Sequence, residues 1–116
     1  MKRSSRLTRS EDIYRVRQVG QTYVHEAMVL GKLPNQIKQN RIAIIAGRSV
    51  GGAVQRNLAK RRMRSAYQSI QKDLLQGFDL VVIGRQTILA IDYWALESAL
   101  KMLFDRAGLL KEKHID

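Results

Sequence analysis

The sequence predicts an α+β fold, a two-layer α/β sandwich with elements in the order α-β-β-β-α-β-α on a small mixed sheet. Two apolar runs rich in β-branched residues, Arg41–Ala46 and residues 78–83, are typical of buried strands. A segment with helical periodicity lies between them, and this strand-helix-strand order favours two parallel strands in one sheet. With 116 residues, of which 45% are hydrophobic, we expect one domain over residues 1–116, including a basic arm at 1–9 and a tail at 109–116.

The first helix is expected over residues 10–19. Ser10 is the expected N-cap, and Glu11 and Asp12 follow it in the first turn, where the helix dipole favours negative charge. Gly20 is expected to end the helix, because glycine is common just past a helix C-terminus. The side chains expected to face the core are those of Ile13 and Val16.

Residues 21–33 lack a helical period and carry several large apolar side chains, so they predict two short strands or one bent strand. Residues 34–40 hold the sole proline and predict a loop. Gly51 and Gly52 precede the central helix, where a strand-to-helix turn needs a close approach of the backbone.

The last helix is expected to begin after Asp92, a favourable N-cap, and to end at Gly108. Tyr93 and Trp94 in its first turn are interpreted as packing residues rather than as rings that stack on a base. The apolar stripe expected to face the core consists of Leu96, Ala99, Leu100, Leu103, Phe104 and Ala107.

The central helix carries five of the 21 basic residues within positions 56–64, and no Asp or Glu lies between Glu26 and Asp73. At about 100° per residue, its side chains separate into two faces. The apolar face consists of Ala59, Met63, Ala66, Tyr67, Ile70 and Leu74. The neighbouring polar face consists of Asn57, Lys60, Arg61, Arg64 and Gln68, with Arg56 at its edge and Arg62 pointing away. Surface charges usually mix both signs, so cations without local carboxylates indicate a site for a polyanion.

The net charge of +11 makes nucleic acid the first candidate partner. A membrane is a weaker candidate, since no apolar run approaches the ~18–20 residues of a spanning helix. A DNA-binding helix-turn-helix is disfavoured because strands flank the basic helix, with no short helix and tight turn before it. The absence of cysteine excludes disulfides and thiolate catalysis, and the basic amino terminus is followed by no apolar signal region, so we expect a cytoplasmic protein.

No catalytic residue and no metal site is predicted in the protein. His25 and His114 are the only histidines, and their positions suggest neither metal ligands nor a general base. Glu11 and Asp12 diverge by ~100° on a helix, which makes them a poor metal-binding pair. Residues 47–52 lack the lysine and hydroxyl of a nucleotide-binding phosphate loop. The side chains are therefore suited to binding phosphates and not to hydrolysing them.

The run G-x-A-V-Q-R-N-L-A-K-R-x-x-R resembles the signature of the bacterial ribonuclease P protein subunit, an R-N-R-x-K-R-x-x-R helix that follows a strand and a glycine turn. The matching residues are Arg56, Asn57, Lys60, Arg61 and Arg64, preceded by Gly51, Ala53 and Val54. Segments 7–16, 41–51, 78–85 and 96–103 resemble, in order, the first helix, the two strands around the motif and the last helix of that family.

The resemblance implies a role in an RNA-based endonuclease. The basic helix is expected to bind ribonuclease P RNA, with Arg48 and the arm extending this surface. A cleft of the sheet is expected to receive the single-stranded 5′ leader of precursor tRNA, while the RNA and its Mg²⁺ ions cut. The resemblance also implies a left-handed β-α-β crossover, against the general rule.

Several residues depart from the family pattern. Leu58 stands where the motif has arginine, and Ser49 where a basic residue is common. Ile13 and Arg17 stand at first-helix positions that are commonly phenylalanine. At the leader cleft we expect Ile13 and Arg17, the latter in contact with phosphate, and Tyr23 as the nearby ring. The alternative function is that of a ribosomal-type or generic structured-RNA-binding protein without a role in cleavage.

Overall fold

The structure is a computed structural model that describes residues 3–112. It contains three α-helices and four strands in the order expected from the sequence, so the α+β class is confirmed. Their bounds are α1 Ser10–Val19, β1 Gln21–Val24, β2 Met28–Pro34, β3 Arg41–Ala46, α2 Ala53–Ile70, β4 Phe78–Gly84 and α3 Tyr93–Arg106. The region expected to form two short strands or one bent strand is a β1–β2 hairpin, and the sole proline, Pro34, ends β2 instead of beginning the loop.

The four strands form one mixed sheet in the order β1-β2-β4-β3. β2 pairs antiparallel with both β1 and β4, whereas β3 and β4 are parallel neighbours joined through α2. The predicted parallel β-α-β unit is therefore present, and the left hand of its crossover stays a prediction. β3 lies at one edge of the sheet, directly before the segment that leads into α2.

Helices pack on both faces of this sheet. Alternate strand residues such as Ile42, Leu80 and Val82 join α2 and α3 in the larger core, which forms the main two-layer sandwich. The intervening residues, including Ala43 and Val81, pack against α1 in a smaller core on the opposite face. A hollow between α1 and the sheet can exist only because α1 lies on a face of its own.

Both ends of α1 differ from the expectation. The N-cap is Arg9, whose side chain makes no capping hydrogen bond, and Ser10 is already the first helical residue. Gly20 ends the helix in an extended conformation (φ −77°) and not in the left-handed one. A side chain at Gly20 would collide with the carbonyl oxygens of Val16 and Lys32, so glycine is needed there for space.

The backbone conformation before α2 requires glycine at one of the two positions, Gly51 and Gly52. Gly51 has φ +142°, a region that L side chains rarely adopt, while Gly52 is extended at the N-cap position. The apolar face of α2 is buried as predicted, and the helix ends at Ile70, where a short 3-10 turn follows. Leu74, beyond that turn, is still fully buried.

The last helix begins as predicted, since the Asp92 carboxylate accepts a hydrogen bond from the Ala95 N–H at 2.8 Å. All six residues of its predicted stripe are buried, and Gly108 follows the helix with φ +72°. Tyr93 packs partly against the core, as expected. Trp94 does not: 71% of its surface is exposed, so its interpretation as a packing residue is wrong. As the second residue of α3, it lies outside the stripe that faces the core.

Candidate nucleic-acid interface

The predicted basic residues of α2 share one side of the helix. We call Arg56, Asn57, Lys60, Arg61 and Arg64 the basic face of α2. Asn57 and Arg61 are exposed, and the other three are half-buried. Burial of the apolar face, with Ala59 and Met63 at 0% exposure, fixes the rotation of the helix about its own axis. The basic face is therefore turned away from the larger core.

None of these five side chains has an anionic partner in the described residues 3–112. The two ion pairs found there are Arg15–Asp12 and Arg41–Asp79, and neither involves α2. The first turn of α2 contains no acidic residue, so the positive end of its dipole adds to the same field. An external anion would relieve the mutual repulsion of these cations.

Arg41, unlike the cations of the basic face, has a carboxylate partner. Its guanidinium donates to both oxygens of the buried Asp79 carboxylate at 2.8 and 2.7 Å, and Asn35 donates to the same carboxylate at 3.0 Å. The hydrogen bond with Asp79 raises the pKa of Arg41 above its ordinary value. This arginine links β3 to β4 and is a structural cation, unlike those of the basic face.

Arg48 lies in the 3-10 turn Arg48–Val50 that connects β3 to α2. Its side chain is exposed, and its carbonyl oxygen accepts a hydrogen bond from the Gly51 N–H at 3.1 Å. The turn packs against α2. The expected extension of the basic surface at Arg48 is thus compatible with its position.

A hollow of about 220 Å³ lies beside Arg64 at the β3 edge. Arg6 also lines it, because the amino-terminal segment runs along β3 and the Leu7 N–H donates to the Ile42 oxygen at 2.9 Å. The described part of the basic arm is therefore attached to the sheet, whereas Met1 and Lys2 lie outside the described residues. Two arginines distant in sequence line one hollow.

A second hollow, of about 230 Å³, lies on the α1 face of the sheet, where the leader cleft is expected. Its lining residues are Arg17, Thr22, Val29, Gly31, Val81 and Ile83, and a contact of Arg17 with the leader stays a prediction. Ile13 packs into the core on this face and lines the hollow at the β3 edge instead. Arg17 and Ile13 are therefore on the same face of the sheet but border different hollows.

Tyr23 is not part of this cleft, so that prediction is wrong. It pairs with Leu30, whose side chain belongs to the larger core under α3, and Tyr23 packs against that same core. Lys32 lies 5.6 Å from the centroid of its ring. Adjacent strand residues point to opposite faces, so Thr22 lines the cleft and Tyr23 cannot.

The cleft residues that the sequence reasoning missed are Thr22, Val29 and Gly31. The signal for them was strand alternation: if Leu30 faces the larger core, Val29 and Gly31 face α1. Gly31 also sets the height of the cleft floor, because a side chain there would come within 3.1 Å of Val16 Cγ1.

His25 has a local structural role. The Ala27 N–H donates to its Nδ1 atom at 3.0 Å within the β1–β2 turn, and His114 lies outside the described residues. Among residues 3–112, no group of three or more His, Asp or Glu side chains is arranged to hold a metal ion. In the same residues, no helix combines the length and the hydropathy needed to cross a membrane.

Comparison with known proteins agrees with this geometry. The family model described as Ribonuclease P matches residues 1–108. A ribonuclease P protein component from Dehalococcoides mccartyi is 37% identical over 97% of this chain and 92% of its own length. The RNase P protein from Thermotoga maritima has a TM-score of 0.79 at 28% identity, covering 87% of this chain and 96% of that chain. An RNase P protein from Staphylococcus aureus has the same fold, with a TM-score of 0.84 at 23% identity over 92% of this chain and 98% of that one.

The family model covers almost the whole sequence, including all seven helices and strands. On these grounds, the chain belongs to the ribonuclease P protein family.

Proposed function

We propose that this protein is the protein component of ribonuclease P, which acts in the 5′ maturation of tRNA. In this role it binds ribonuclease P RNA through the basic face of α2 and the precursor-tRNA leader through the cleft beside α1. The observation that carries the proposal is the basic face of α2: its four cations have no carboxylate partner among residues 3–112, and the chain belongs to the ribonuclease P protein family. The relative from Dehalococcoides mccartyi is described as a ribonuclease P protein component, and this chain aligns with 92% of its length.

The basic face suits a folded RNA because phosphates lie close together there. Each cation that neutralises a phosphate releases a counter-ion, so binding should weaken with salt at a log–log slope of roughly 0.7–0.9 per contact. Asn57 is the exposed uncharged member, and its amide can hydrogen-bond a base edge or a 2′-hydroxyl. Arg48 at one end and Arg6 beside Arg64 extend the cationic surface.

The cleft beside α1 suits an unpaired strand. Its floor is formed by small or apolar residues such as Val29 and Gly31, and Arg17 at its border supplies a charge for phosphate. Within the described part of the chain, residues 3–112, no aromatic ring lines this cleft, so binding there depends on shape and charge and not on base stacking. This predicts a weak preference for leader sequence.

Cleavage is assigned to the RNA subunit. Within residues 3–112, the protein side chains offer no metal cage, and the Mg²⁺ ions expected from the resemblance are left to the RNA. The role of the protein is then to bind and position RNA. A cytoplasmic location follows from this substrate and is part of the proposal.

The test is reconstitution with a bacterial ribonuclease P RNA at low Mg²⁺. We expect the protein to restore 5′ cleavage of precursor tRNA, and a Lys60→Ala/Arg64→Ala variant to need much more protein for the same rate. A protein that binds the RNA equally well but never restores cleavage would be a generic structured-RNA-binding protein. Cleavage of precursor tRNA by the protein without RNA would contradict the assignment of catalysis.

A second arm tests the leader cleft. The holoenzyme should bind precursor tRNA more tightly than mature tRNA, and Arg17→Ala should reduce that difference. Arg15→Ala is the matched control, since Arg15 is also exposed on α1 but faces Asp12 at 3.4 Å. Equal affinities of the unmodified holoenzyme for the two tRNAs would remove the leader role.

A further inference from the structure

Trp94 is the sole tryptophan of the chain and is 71% exposed. Tryptophan is highly buried on average, since its large ring gains more from leaving water than most side chains do. Because Trp94 stays mostly exposed in the folded chain, folding does not gain most of the favourable free energy of burying its ring. Tryptophan combines an apolar ring with a polar N–H and is enriched at interfaces, so this exposed ring is a candidate contact for a partner.

Its position is set by its neighbour. The rings of Tyr93 and Trp94 meet edge to face, with centroids 5.4 Å apart and an interplanar angle of 78°. Tyr93 packs partly against the larger core, and its hydroxyl shares a hydrogen bond with the Ser65 hydroxyl of α2 at 3.3 Å. Trp94 therefore stands on a support tied to α2, and less conformational freedom is lost when it binds a planar partner.

This support lies next to the basic face of α2. Ser65 follows Arg61 by four residues, so this arginine is about one helical turn away along α2. α2 itself contains no carboxylate. A polyanion that runs along this helix would reach the Tyr93–Trp94 pair beyond Arg61.

The two acids that flank Trp94 in sequence keep their charge, and each is held in place by a hydrogen bond within the protein. Asp92 caps the helix by accepting from the Ala95 N–H, and Glu97 accepts from the Ser69 hydroxyl at 3.2 Å. A basic surface beside an exposed aromatic ring is the arrangement with which proteins bind single-stranded nucleic acid, where the ring stacks on a base and the cations hold the phosphates. The cations of the basic face of α2 thus favour RNA over an apolar protein partner.

We infer that Trp94 stacks on an unpaired base of RNA bound along α2, which extends the interface from α2 onto α3. The inference rests on the proposed function, because it needs RNA on the basic face. It adds a contact on the α2/α3 side of the sheet, away from the cleft beside α1.

The test uses the natural fluorescence of Trp94, which reports on this site alone. Titration of the full-length protein with a ribonuclease P RNA transcript should quench the emission and reduce its accessibility to acrylamide. Trp94→Ala should weaken affinity for the transcript roughly 5- to 150-fold, the equivalent of one stacked base. Trp94→Phe should recover most of that loss, because it keeps a ring.

Met102→Ala is the matched control. Met102 is also exposed on α3, at 50%, two turns further along, and its removal should leave affinity unchanged. The melting temperature of all three variants should stay close to that of the unmodified protein, since exposed side chains contribute little to stability.

Unchanged Trp94 emission together with an unchanged affinity of Trp94→Ala would overturn the inference, whereas the proposed function would stand if Lys60→Ala/Arg64→Ala still lost affinity. Loss of self-association in Trp94→Ala with no effect on RNA binding would identify the ring as a contact between copies and would overturn the inference as well. Absence of any RNA binding by the unmodified protein would overturn both proposals.

Discussion

The two faces of α2 differ in what their side chains touch. On one face, Ala59, Met63 and Tyr67 are almost completely buried against the sheet and α3. On the other, Lys60 and Arg64 have no anionic partner among residues 3–112. The buried face should respond to changes of side-chain volume and to ionisation, and the basic face to salt and RNA. Substitutions one residue apart in sequence should therefore have effects of different kinds.

The largest effect on stability is expected at Met63. Its side chain is 0% exposed and contacts the bare backbone of β4, where a side chain at Gly84 would lie 3.1 Å from Met63 Cε. Met63→Ala should lower the free energy of unfolding by about 2–5 kcal/mol, as large-to-small core substitutions do. Urea denaturation measures this loss. The salt dependence of RNA binding, measured where the variant is still folded, should not change.

Tyr67 offers a pH-dependent test of the same buried face. Burial raises its pKa from 10.0 to about 12. Below pH 10 the hydroxyl is protonated in both states, so it adds no pH dependence. Between pH 10 and about 12 the unfolded state loses this proton and the folded state keeps it, so the free energy of unfolding should fall by about 1.4 kcal/mol per pH unit, or about 2.7 kcal/mol in all.

Tyr67→Phe is the control, because it keeps the ring that packs 6.1 Å from that of Phe104 and removes the ionisable group. All other ionisable groups are the same in both proteins, so the difference between the two stability curves isolates Tyr67. Parallel curves from pH 9 to 12 would mean that the hydroxyl ionises as freely in the folded protein as in water.

The same contrast explains how much the sequence could predict. The bounds of β3 and the buried face of α2 were predicted correctly because both depend on local periodicity. The face on which Tyr23 lies was not, because the side of a four-residue strand is fixed by its register with β2. The pairing of Leu7 with Ile42 joins residues far apart in the chain and leaves no local pattern.

The candidate site divides in the same way. The basic face of α2 could be read from spacing and from the absence of carboxylates, since both are properties of one helix. The hollow shared by Arg6 and Arg64 and the hydrogen bond of Ser65 with Tyr93, the neighbour of Trp94, need tertiary contacts, so no single segment of the sequence predicts them. Residues contributed by one element are thus predictable, and those brought together by packing are not.

The smallest effect on stability is expected at Arg64. Arg64→Ala should change the free energy of unfolding by less than about 0.5 kcal/mol, because the guanidinium has no ion-pair partner in the described residues. It should weaken binding to ribonuclease P RNA and reduce the log–log salt slope by roughly 0.7–0.9, the value for one lost phosphate contact. The affinity is measured at several salt concentrations.

Arg62→Ala is the matched control for Arg64→Ala. Arg62 is also half-buried on α2, two residues away, but lies outside the basic face. It removes the same charge from the protein, so a smaller change of slope in Arg62→Ala would attribute the effect of Arg64 to contact with phosphate and not to net charge. Equal slopes for the two variants would mean that RNA responds to the overall charge of α2. A large loss of stability in Arg64→Ala with an unchanged slope would instead assign Arg64 to the folded core, as for Arg41 on Asp79.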